Sequence, residues 1–344
     1  LIKISEQTID SAKLNDLDTN GQTIIENSER LLFDLAEKGS FNSSLVKFDE
    51  AMRQTIEMAS AAYKNEEGIV GVPTGLRDLD DRLGGLHQSD LIIIAGRPSM
   101  GKTSFMMNMA ESAVISGGSP VLVFSMEMPA DSLVLRMLSS LGRIDQSKIR
   151  TGQLGDDDWP RLTSAVTLLN DKPLFIDDTP GVSVLEMRTK ARRVAHEQPL
   201  GLIIIDYLQL MRSQSRQAEG SREREIAEIS AGLKALAKEL NIPIIVLAQL
   251  NRGPEQRGGA PRMSDLRESG SLEQDADLIG LLYRQEYYDN TTPEGDDADH
   301  ERDANQGKAE LIIAKNRNGP TGNVELTFLK QLMRFETRAP EPHD

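Results

Sequence analysis

The sequence contains no cysteine and few aromatic residues. The absence of cysteine excludes disulfides and zinc fingers, and the 4 histidines are scattered and form no metal-ligand pair. Any bound metal is therefore expected to be held by oxygen atoms. Aromatic residues make up 4% of the chain, so the core must be built from aliphatic side chains and methionine.

Long hydrophobic runs are also missing. No apolar segment approaches the ~18 residues that a membrane-spanning helix needs, and no signal segment opens the chain. We therefore expect a cytoplasmic protein that does not contact membranes. With 344 residues, the chain can form one large α/β domain or two modest ones. Leu1 stands within an apolar helical pattern, which predicts a fragment preceded by an N-terminal domain.

Acidic residues outnumber basic ones, 54 to 39, and the net charge is −15. This balance argues against a protein that coats nucleic acid with its whole surface, because phosphate binding needs lysine and arginine. Much of the acid lies between Asp289 and Asp303, so a local basic loop elsewhere could still bind DNA. The polar segment from Asp289 to Gln306 is predicted to be disordered.

The first 67 residues have helical patterns only. Residues 1–20 resemble the remnant of a domain boundary, residues 21–40 form a predicted linker helix, and residues 41–67 form a helical lead-in. The pattern of the linker helix is Ile25, Ser28, Leu32 and Leu35, at spacings of three, four and three, which gives it a short apolar stripe. A helix this short is marginal in isolation and must dock on other structure. The sequence leaves open whether it docks on its own domain or on a neighbouring subunit.

Residues 68–338 differ in character, and residues 339–344 follow as a tail. Continuous apolar runs occur at 91–95, 121–124, 174–176, 202–205, 244–248, 278–282 and 311–314. Runs without alternation are typical of strands buried on both faces, and amphipathic helical patterns separate them. We predict a doubly wound, mostly parallel α/β sheet with helices on both faces, preceded by a short all-α segment. Ligands of such sheets bind at the carboxyl ends of the strands.

A phosphate-binding motif directly follows the first of these runs. The segment from Gly96 to Thr103 fits G-x-x-x-x-G-K-[ST] and precedes a helical pattern. Its glycines let backbone amides surround phosphates, Lys102 would reach the β- and γ-phosphates, and Thr103 would ligate Mg²⁺. The residues predicted to bind ATP here are Gly96, Ser99, Gly101, Lys102, Thr103 and Ser104. An idle glycine-rich turn is the alternative.

Two other predicted strands end close to carboxylates. Asp206 closes the run 202–205, and a buried Asp is costly unless a cation such as nucleotide-bound Mg²⁺ accompanies it. Glu127 follows the run 121–124 and would lie beside the phosphate loop if the strands are neighbours, placed to orient or deprotonate water. We therefore expect the triphosphate and its Mg²⁺ to bind where two neighbouring strands end. A capping or solvated Glu127 is the alternative.

Polar residues after two later strands complete the candidate site. Gln249 follows the run 244–248 and could bond a γ-phosphate, although a surface amide is the alternative. Lys315 and Arg317 precede Asn318-Gly319-Pro320, which predicts the turn of a hairpin. These two cations either keep the hairpin soluble or act as an arginine finger on a neighbour's ATP.

Two basic loops are candidates for DNA binding. They are the segments Met211–Arg224 and Asn251–Gly270, and their candidate residues include Arg212, Arg216 and Arg252. Because these loops are rich in arginine and glycine and lack aromatic residues, they favour contacts with the phosphate backbone over base stacking. Each arginine could alternatively be a solvated surface charge.

The order of these motifs resembles the C-terminal domain of the DnaB family of bacterial replicative helicases. The resemblance runs from Gln22 to about residue 336 and so covers most of the chain. The phrases that carry it are Thr74–Leu76, Leu83–Leu86, Gly96–Thr103, Ser125–Met128, Ile205–Leu210, Ser264–Gly270, Gln274–Asp277 and Ala314–Pro320.

The resemblance implies a RecA-like ATPase that moves 5′ to 3′ on single-stranded DNA as a homohexameric ring. It implies that Glu127 is the catalytic base, that Asp206 acts on the Mg²⁺ side together with Thr103, and that Gln249 senses the γ-phosphate. Lys315 and Arg317 would act in trans. The residues implied for contact with the DNA backbone are Arg267, Glu268 and Gly270.

The resemblance also implies partners. A helicase loader is expected, and primase is expected mainly through an N-terminal domain that precedes the linker helix in the family. Two other functions remain open at this stage. A strand-exchange recombinase or clock-type ring shares the ATP motifs, and a nucleotide-gated scaffold would bind ATP without motor activity. Unwinding of a forked duplex with a 5′ tail separates the first from a helicase, and the DNA-stimulated ATP hydrolysis of Glu127→Gln separates the second.

Overall fold

The computed structural model describes residues 2–13, 21, 24–25, 27–32, 47–64, 69–213, 221–257, 259–266, 270–289 and 306–338. The chain divides into two compact units, residues 1–64 and 65–344. Residues 290–305, which hold most of the predicted disordered segment, lie outside the described residues. Of the helices in the described ranges, none combines the length and apolar character that a membrane span requires.

In the first unit, all the secondary structure of the described residues is helical. Its helices are α1 (Ile2–Lys13) and α2 (Phe48–Lys64). Residues 27–32 of the predicted linker helix are also helical. Residues 33–40 of that prediction lie outside the described residues, so the length of the linker helix and its docking remain predictions.

The second unit is built on one nine-stranded sheet. Its strands are β1 (Leu91–Gly96), β2 (Val121–Ser125), β3 (Leu174–Asp177), β4 (Leu202–Asp206), β5 (Ile244–Gln249), β6 (Leu278–Tyr283), β7 (Lys308–Asn316), β8 (Gly322–Leu329) and β9 (Arg334–Thr337). The order across the sheet is β3-β2-β4-β5-β1-β6-β7-β8-β9. The first six of these strands pair in parallel, whereas β7, β8 and β9 pair antiparallel. This confirms the predicted mostly parallel α/β fold.

Helices cover both faces of the sheet, as predicted. They are α3 (Arg77–Leu83), α4 (Lys102–Ile115), α5 (Ala130–Gly142), α6 (Gln146–Thr151), α7 (Asp158–Leu169), α8 (Val184–Glu197), α9 (Arg222–Leu240), α10 (Gly253–Arg257), α11 (Gly270–Asp275) and α12 (Gln285–Asp289). One apolar core lies between the sheet and helices α4 and α5, and the other lies between the sheet and helices α8, α9 and α11. Alternate residues of β1 point into the two cores, because successive side chains of a strand face opposite sides.

The antiparallel strands extend the core beneath the phosphate loop. Phe335 of β9 packs edge-on against Phe105 of α4, with ring centroids 5.3 Å apart, and tilted against Phe328 of β8 at 4.5 Å. Strand β7 alternates buried and half-buried residues along most of its length. The predicted continuous run 311–314 is therefore buried on one face only, as is typical near the antiparallel edge of a sheet.

Candidate nucleotide-binding and active site

The predicted phosphate loop connects β1 to α4. Ser99 and Gly101 have φ angles of 65° and 91°, which turn the backbone inward before α4 begins at Lys102. A Cβ atom at Gly101 would lie 3.1 Å from the ring of Phe335. Glycine is therefore required here by both the backbone conformation and the close approach of β9. Gly96 ends β1 and opens the loop.

Lys102 folds back onto the loop that precedes it. Its Nζ donates hydrogen bonds to the carbonyl oxygens of Gly96 at 2.9 Å and Arg97 at 3.1 Å. Burial lowers the pKa of Lys102 to about 8, although the nearby carboxylates of Asp206 and Glu127 act in the opposite direction. A half-buried lysine amine beside a glycine-containing loop at a helix N-terminus is chemically suited to bind phosphate oxygens.

Thr103 joins the phosphate loop to the end of β4. Its hydroxyl donates a hydrogen bond of 2.9 Å to Oδ2 of Asp206. The prediction that the site forms where two neighbouring strands end was wrong, because β5 lies between β1 and β4. The two residues meet because α4 crosses over β5 and contacts β1, β5, β4 and β2. Helix α4 therefore carries Thr103 to the Asp206 carboxylate.

Asp206 is a buried carboxylate with 1% of its surface exposed. Burial raises its pKa to about 6; the Thr103 hydrogen bond lowers it and the charge of Glu127 raises it. A buried carboxylate next to a threonine hydroxyl is an all-oxygen donor pair that suits Mg²⁺, which commonly takes one or two protein oxygens and completes its shell with phosphate and water. Thr103 and Asp206 therefore fit a Mg²⁺–nucleotide complex.

Glu127 lies two residues beyond β2 and is exposed. Ser125, at the end of β2, is in register with Asp206 at the end of β4. Although β2 is not adjacent to β1, the charge of Glu127 still acts on the pKa values of Lys102 and Asp206. Glu127 therefore lies near the end of β4 that carries Asp206, and it is open to water.

Gln249 ends β5 and is in register with Gly96 at the start of the phosphate loop. The side chain of Gln209 fixes its backbone from the neighbouring strand end. Gln209 accepts a hydrogen bond from the Gln249 amide at 3.2 Å and donates one to the Gln249 carbonyl at 3.5 Å. The structure therefore brings Lys102, Thr103, Glu127, Asp206 and Gln249 together at one edge of the sheet.

Comparison with known proteins identifies the family. The model of the DnaB-like helicase C-terminal domain matches residues 71–337. The chain belongs to this family. It is 47% identical over 326 residues to the replicative DNA helicase DnaB of Haemophilus influenzae, covering 92% of this chain and 67% of the relative. It is 42% identical over 358 residues to DnaB of Rickettsia conorii, covering 98% of this chain and 72% of the relative.

Solved structures of DnaB-like helicases have the same fold. One solved ATPase domain superimposes with a TM-score of 0.77 at 35% identity, covering 86% of this chain and all of that chain. A DnaB-like replicative helicase described with its interactions with primase gives a TM-score of 0.78 at 33% identity, covering 98% of this chain and 75% of that chain. The predicted RecA-like helicase ATPase fold is therefore confirmed, and the chain is an ATP-hydrolysing helicase domain.

Sequence reasoning missed a cation in this DnaB-like site. Arg136 of α5 donates a 3.2 Å hydrogen bond to the hydroxyl of Ser104, and the charges of Asp206 and Glu127 act on its pKa. Its Nε is buried and has no hydrogen-bond partner among the described residues. The Ser104 hydroxyl also contacts Met333 Sδ at 3.7 Å. No motif marks Arg136, because it occupies an ordinary position in the middle of a helix.

Two more arginines hold the phosphate loop in place. Arg97 pairs with Glu255 at 2.7 Å and donates to the Leu250 carbonyl at 2.8 Å. Arg284 donates to the Ser99 carbonyl at 3.3 Å. The guanidinium of Arg97 thereby ties the loop to the segment that follows β5. Neither role could be deduced from the sequence, since Arg97 occupies a variable position of the motif and Arg284 follows a strand that had no assigned role.

Lys315 and Arg317 lie at the opposite ends of the strands from the phosphate loop. The hairpin of β7 and β8 forms as predicted, and Asn316 of β7 pairs with Leu278 at the start of β6. Leu278 is in register with Ile92 near the start of β1, whereas the phosphate loop follows the end of β1. Each residue of a strand advances the chain by about 3.3 Å. The two cations therefore lie near the amino ends of the parallel strands, and the phosphate loop lies at their carboxyl ends. The structure does not bring these cations to the nucleotide site of their own chain.

The predicted DNA-binding residues are described only in part. Arg212 follows β4 and Arg252 follows β5, and both side chains are exposed. Gly270 is the first residue of α11. The remaining candidates, Arg216, Arg267 and Glu268, lie outside the described residues.

Proposed function

We propose that this chain is the motor of a ring-shaped replicative helicase that hydrolyses Mg²⁺–ATP and moves 5′ to 3′ along single-stranded DNA. The observation that carries the proposal is the hydrogen bond between Thr103 and Asp206, which places the phosphate loop and the acidic strand end in one site. Family membership supports the helicase activity. The replication fork in the bacterial cytoplasm is the proposed place of action.

Within the site, each side chain has a proposed role. Lys102 leaves the carbonyls of Gly96 and Arg97 to contact the β- and γ-phosphates, while Thr103 and Asp206 hold Mg²⁺. The ion supplies charge neutralisation at the phosphates when bound. Glu127 accepts a proton from the attacking water, which its exposed position supports. Gln249, with its backbone fixed by Gln209, reports the presence of the γ-phosphate.

A homohexameric ring is proposed because the two cations expected to act in trans lie away from the nucleotide site of their own chain. Lys315 and Arg317 lie at the far edge of their own sheet, so they can serve only the nucleotide of another copy. An arginine supplied in trans stabilises charge in phosphoryl transfer and is worth about 10³- to 10⁵-fold in rate. ATP bound between two copies would then need residues of both.

Single-stranded DNA is the proposed polymer substrate. Arg212, Arg216, Arg252, Arg267, Glu268 and Gly270 are its proposed contacts. Of the described members, Arg212 follows β4 and Arg252 follows β5, whose carboxyl ends carry the nucleotide site, and Gly270 begins α11. Primase is a proposed partner because one solved DnaB-like relative is described with its interactions with primase. A helicase loader is proposed from family membership alone.

The test measures unwinding of a forked DNA duplex with a single-stranded 5′ tail, in the presence of ATP and Mg²⁺. The unaltered chain is expected to unwind this substrate and not one with a 3′ tail only. Glu127→Gln should reduce both DNA-stimulated ATP hydrolysis and unwinding by at least about 100-fold while ATP still binds. The matched control is Glu197→Gln, at an exposed glutamate of α8, which should behave like the unaltered chain. Hydrolysis without unwinding of any tailed substrate, or full activity of Glu127→Gln, would contradict the proposal.

A further inference from the structure

The guanidinium of Arg317 is held in place by its own chain. Its Nη1 lies 3.2 Å from Oδ1 of Asp277 and its Nη2 donates to the carbonyl of Gln274. The Arg317 backbone amide also donates to the Asp277 carbonyl at 2.9 Å. The side chain nevertheless remains 48% exposed. Since a guanidinium carries five N–H donors, Arg317 is fixed at one side and still has donors available for a ligand.

Asp277 is itself anchored on its other side. Its carboxylate is 7% exposed, and its Oδ2 accepts a 2.8 Å hydrogen bond from the Leu91 amide and pairs with Lys234 of α9. One carboxylate therefore connects the start of β1, helix α9 and Arg317. Because its position is fixed by the sheet and a helix, it can hold Arg317 in a defined direction.

The neighbouring cation is bound to the same short segment. Lys315 donates to the carbonyl oxygens of Ala276 at 2.6 Å and of Glu273 and Gln274 at the end of α11. A lysine at the carboxyl end of a helix satisfies carbonyls that have no partner within the helix. Both cations at the far edge of the sheet are thus oriented by residues 273–277.

We infer that Asp277 is a positioning residue for hydrolysis in the neighbouring subunit, because it orients Arg317 toward that subunit's ATP. The inference rests on the proposed action of Arg317 in trans. Without the carboxylate, the long arginine side chain would sample many rotamers, and the contact with the transition state would be made less often. Asp277 touches no nucleotide in this scheme and acts through Arg317 alone.

A purely structural role for Asp277 is the competing explanation, since the same carboxylate binds Leu91 and Lys234. The chain offers a matched control. Lys234→Met removes the other charged partner of Asp277 and leaves the contact with Arg317 intact. Asp277→Asn keeps an oxygen for the Leu91 amide and removes the charge that holds Arg317. If Asp277 matters only for the connection between β1 and α9, the two variants should behave alike.

The first measurement is steady-state ATP hydrolysis with oligo-dT. Asp277→Asn should lower kcat by between about tenfold and about a hundredfold and leave the KM for ATP unchanged, because the nucleotide affected is bound by the neighbour's phosphate loop. Lys234→Met should keep kcat within about twofold of the unaltered chain. Equal losses in both variants, or an unchanged kcat in Asp277→Asn, would overturn the inference.

The second measurement mixes variants within one ring. Arg317→Ala with Lys102→Ala should regain activity, because the interfaces where Lys102→Ala donates Arg317 to an intact Lys102 are complete. Asp277→Asn with Lys102→Ala should regain activity in the same way, whereas Asp277→Asn with Arg317→Ala should not, since both defects lie on the donating side. No recovery in the first mixture would contradict the action in trans itself. Recovery in the first mixture only would contradict the role of Asp277 alone.

Folding is controlled separately. Each variant of Asp277, Lys234 and Arg317 should bind a fluorescent ATP analogue and form the same assembly as the unaltered chain before its kcat is interpreted. If Asp277→Asn fails this requirement, Asp277→Ser replaces it, because the serine hydroxyl can accept the hydrogen bond from Leu91 without holding Arg317. The kcat loss and the pattern of recovery expected for Asp277→Ser are the same, and their absence would count against the inference.

Discussion

At the scale of single residues, the nucleotide site sets the half-buried cation of Lys102 against the buried carboxylate of Asp206. Burial pushes the pKa of Lys102 down and that of Asp206 up, so each would be more stable with a partner of opposite charge nearby. Mg²⁺–ATP brings both kinds of charge at once, with phosphates for the lysine and a metal ion for the aspartate. The site is therefore suited to the complex of metal and nucleotide more than to either part alone.

Arg136 is the residue whose contribution we predict at this scale. Arg136→Ala should lower kcat for ATP hydrolysis by about tenfold, because it removes a cation that faces Asp206 and Glu127 and whose buried Nε has no partner among the described residues. Arg136→Lys should recover part of the loss by restoring the charge. The exposed Arg150 of α6 supplies the control Arg150→Ala. Hydrolysis rates at saturating ATP test this, and an unchanged kcat in Arg136→Ala would limit the residue to its hydrogen bond with Ser104 and its 4.0 Å contact with Met333 Sδ.

Single residues also mark the limit of sequence reasoning. Lys102, Thr103, Asp206, Glu127 and Gln249 could be found because each follows an apolar run, and chain order alone places such residues at the carboxyl edge of a parallel sheet. Arg136, Arg97, Arg284 and Asp277 could not be found in this way. Their roles depend on which elements become neighbours after folding, and that information is spread over the whole chain.

At the scale of elements, α4 and α11 connect distant parts of the site. Helix α4 crosses β5 and so compensates for a strand order that the sequence did not predict. Helix α11 begins at Gly270, one of the proposed DNA contacts, and its carboxyl end holds Lys315 and Arg317. One helix of 6 residues thus has the proposed DNA contact at its start and the carbonyls that bind the proposed cations for the neighbour's ATP near its end.

A buried acid on α4 provides a prediction about pH. Glu111 is 3% exposed and bonds the hydroxyl of Ser140 on α5 at 2.9 Å, with Arg334 of β9 3.6 Å away. Burial raises its pKa from 4.5 to about 7, against the opposing effects of Ser140, Arg334 and Asn108. The folded protein therefore binds this proton more tightly than the unfolded chain, and the stabilisation is lost as pH rises from about 4.5 to about 7.

Glu111→Gln should remove this pH dependence. Between pH 5 and pH 7.5, the free energy of unfolding of the unaltered chain should fall relative to that of the variant, by at most about 3 kcal/mol. Urea unfolding at several pH values measures it, with the exposed Glu197→Gln as the control for glutamate in general. Parallel pH profiles for Glu111→Gln and the unaltered chain would show that Glu111 keeps an ordinary pKa.

At the scale of the whole molecule, the distribution of charge and the antiparallel end of the sheet fit a subunit of a ring. The net charge of −15 restricts DNA phosphate contacts to local basic loops, in contrast to a protein that wraps DNA over its surface. The two ends of the strands carry complementary halves of the proposed site. The phosphate-binding groups lie at the carboxyl ends of the parallel strands, and the cations Lys315 and Arg317 lie near their amino ends. Copies arranged head to tail would bring these halves together at every interface, which is how heterologous contacts generate closed rings.

The strength of that ring should therefore depend on nucleotide. If ATP is bound by groups of two copies, a non-hydrolysable ATP analogue must stabilise the assembly of six 38.0 kDa chains against dissociation, since a ligand favours the state that binds it by RT ln(1 + [L]/Kd). Native mass spectrometry over a dilution series, with and without analogue, should show rings persisting to concentrations at least about tenfold lower when the analogue is present.

Lys102→Ala, which loses the phosphate contact, should show no such shift. Arg317→Ala should show a smaller shift, because nucleotide still binds but no longer bridges two copies. An equal shift in the unaltered chain and in Lys102→Ala would mean that the analogue acts elsewhere, and no shift in the unaltered chain would mean that nucleotide does not lie between copies.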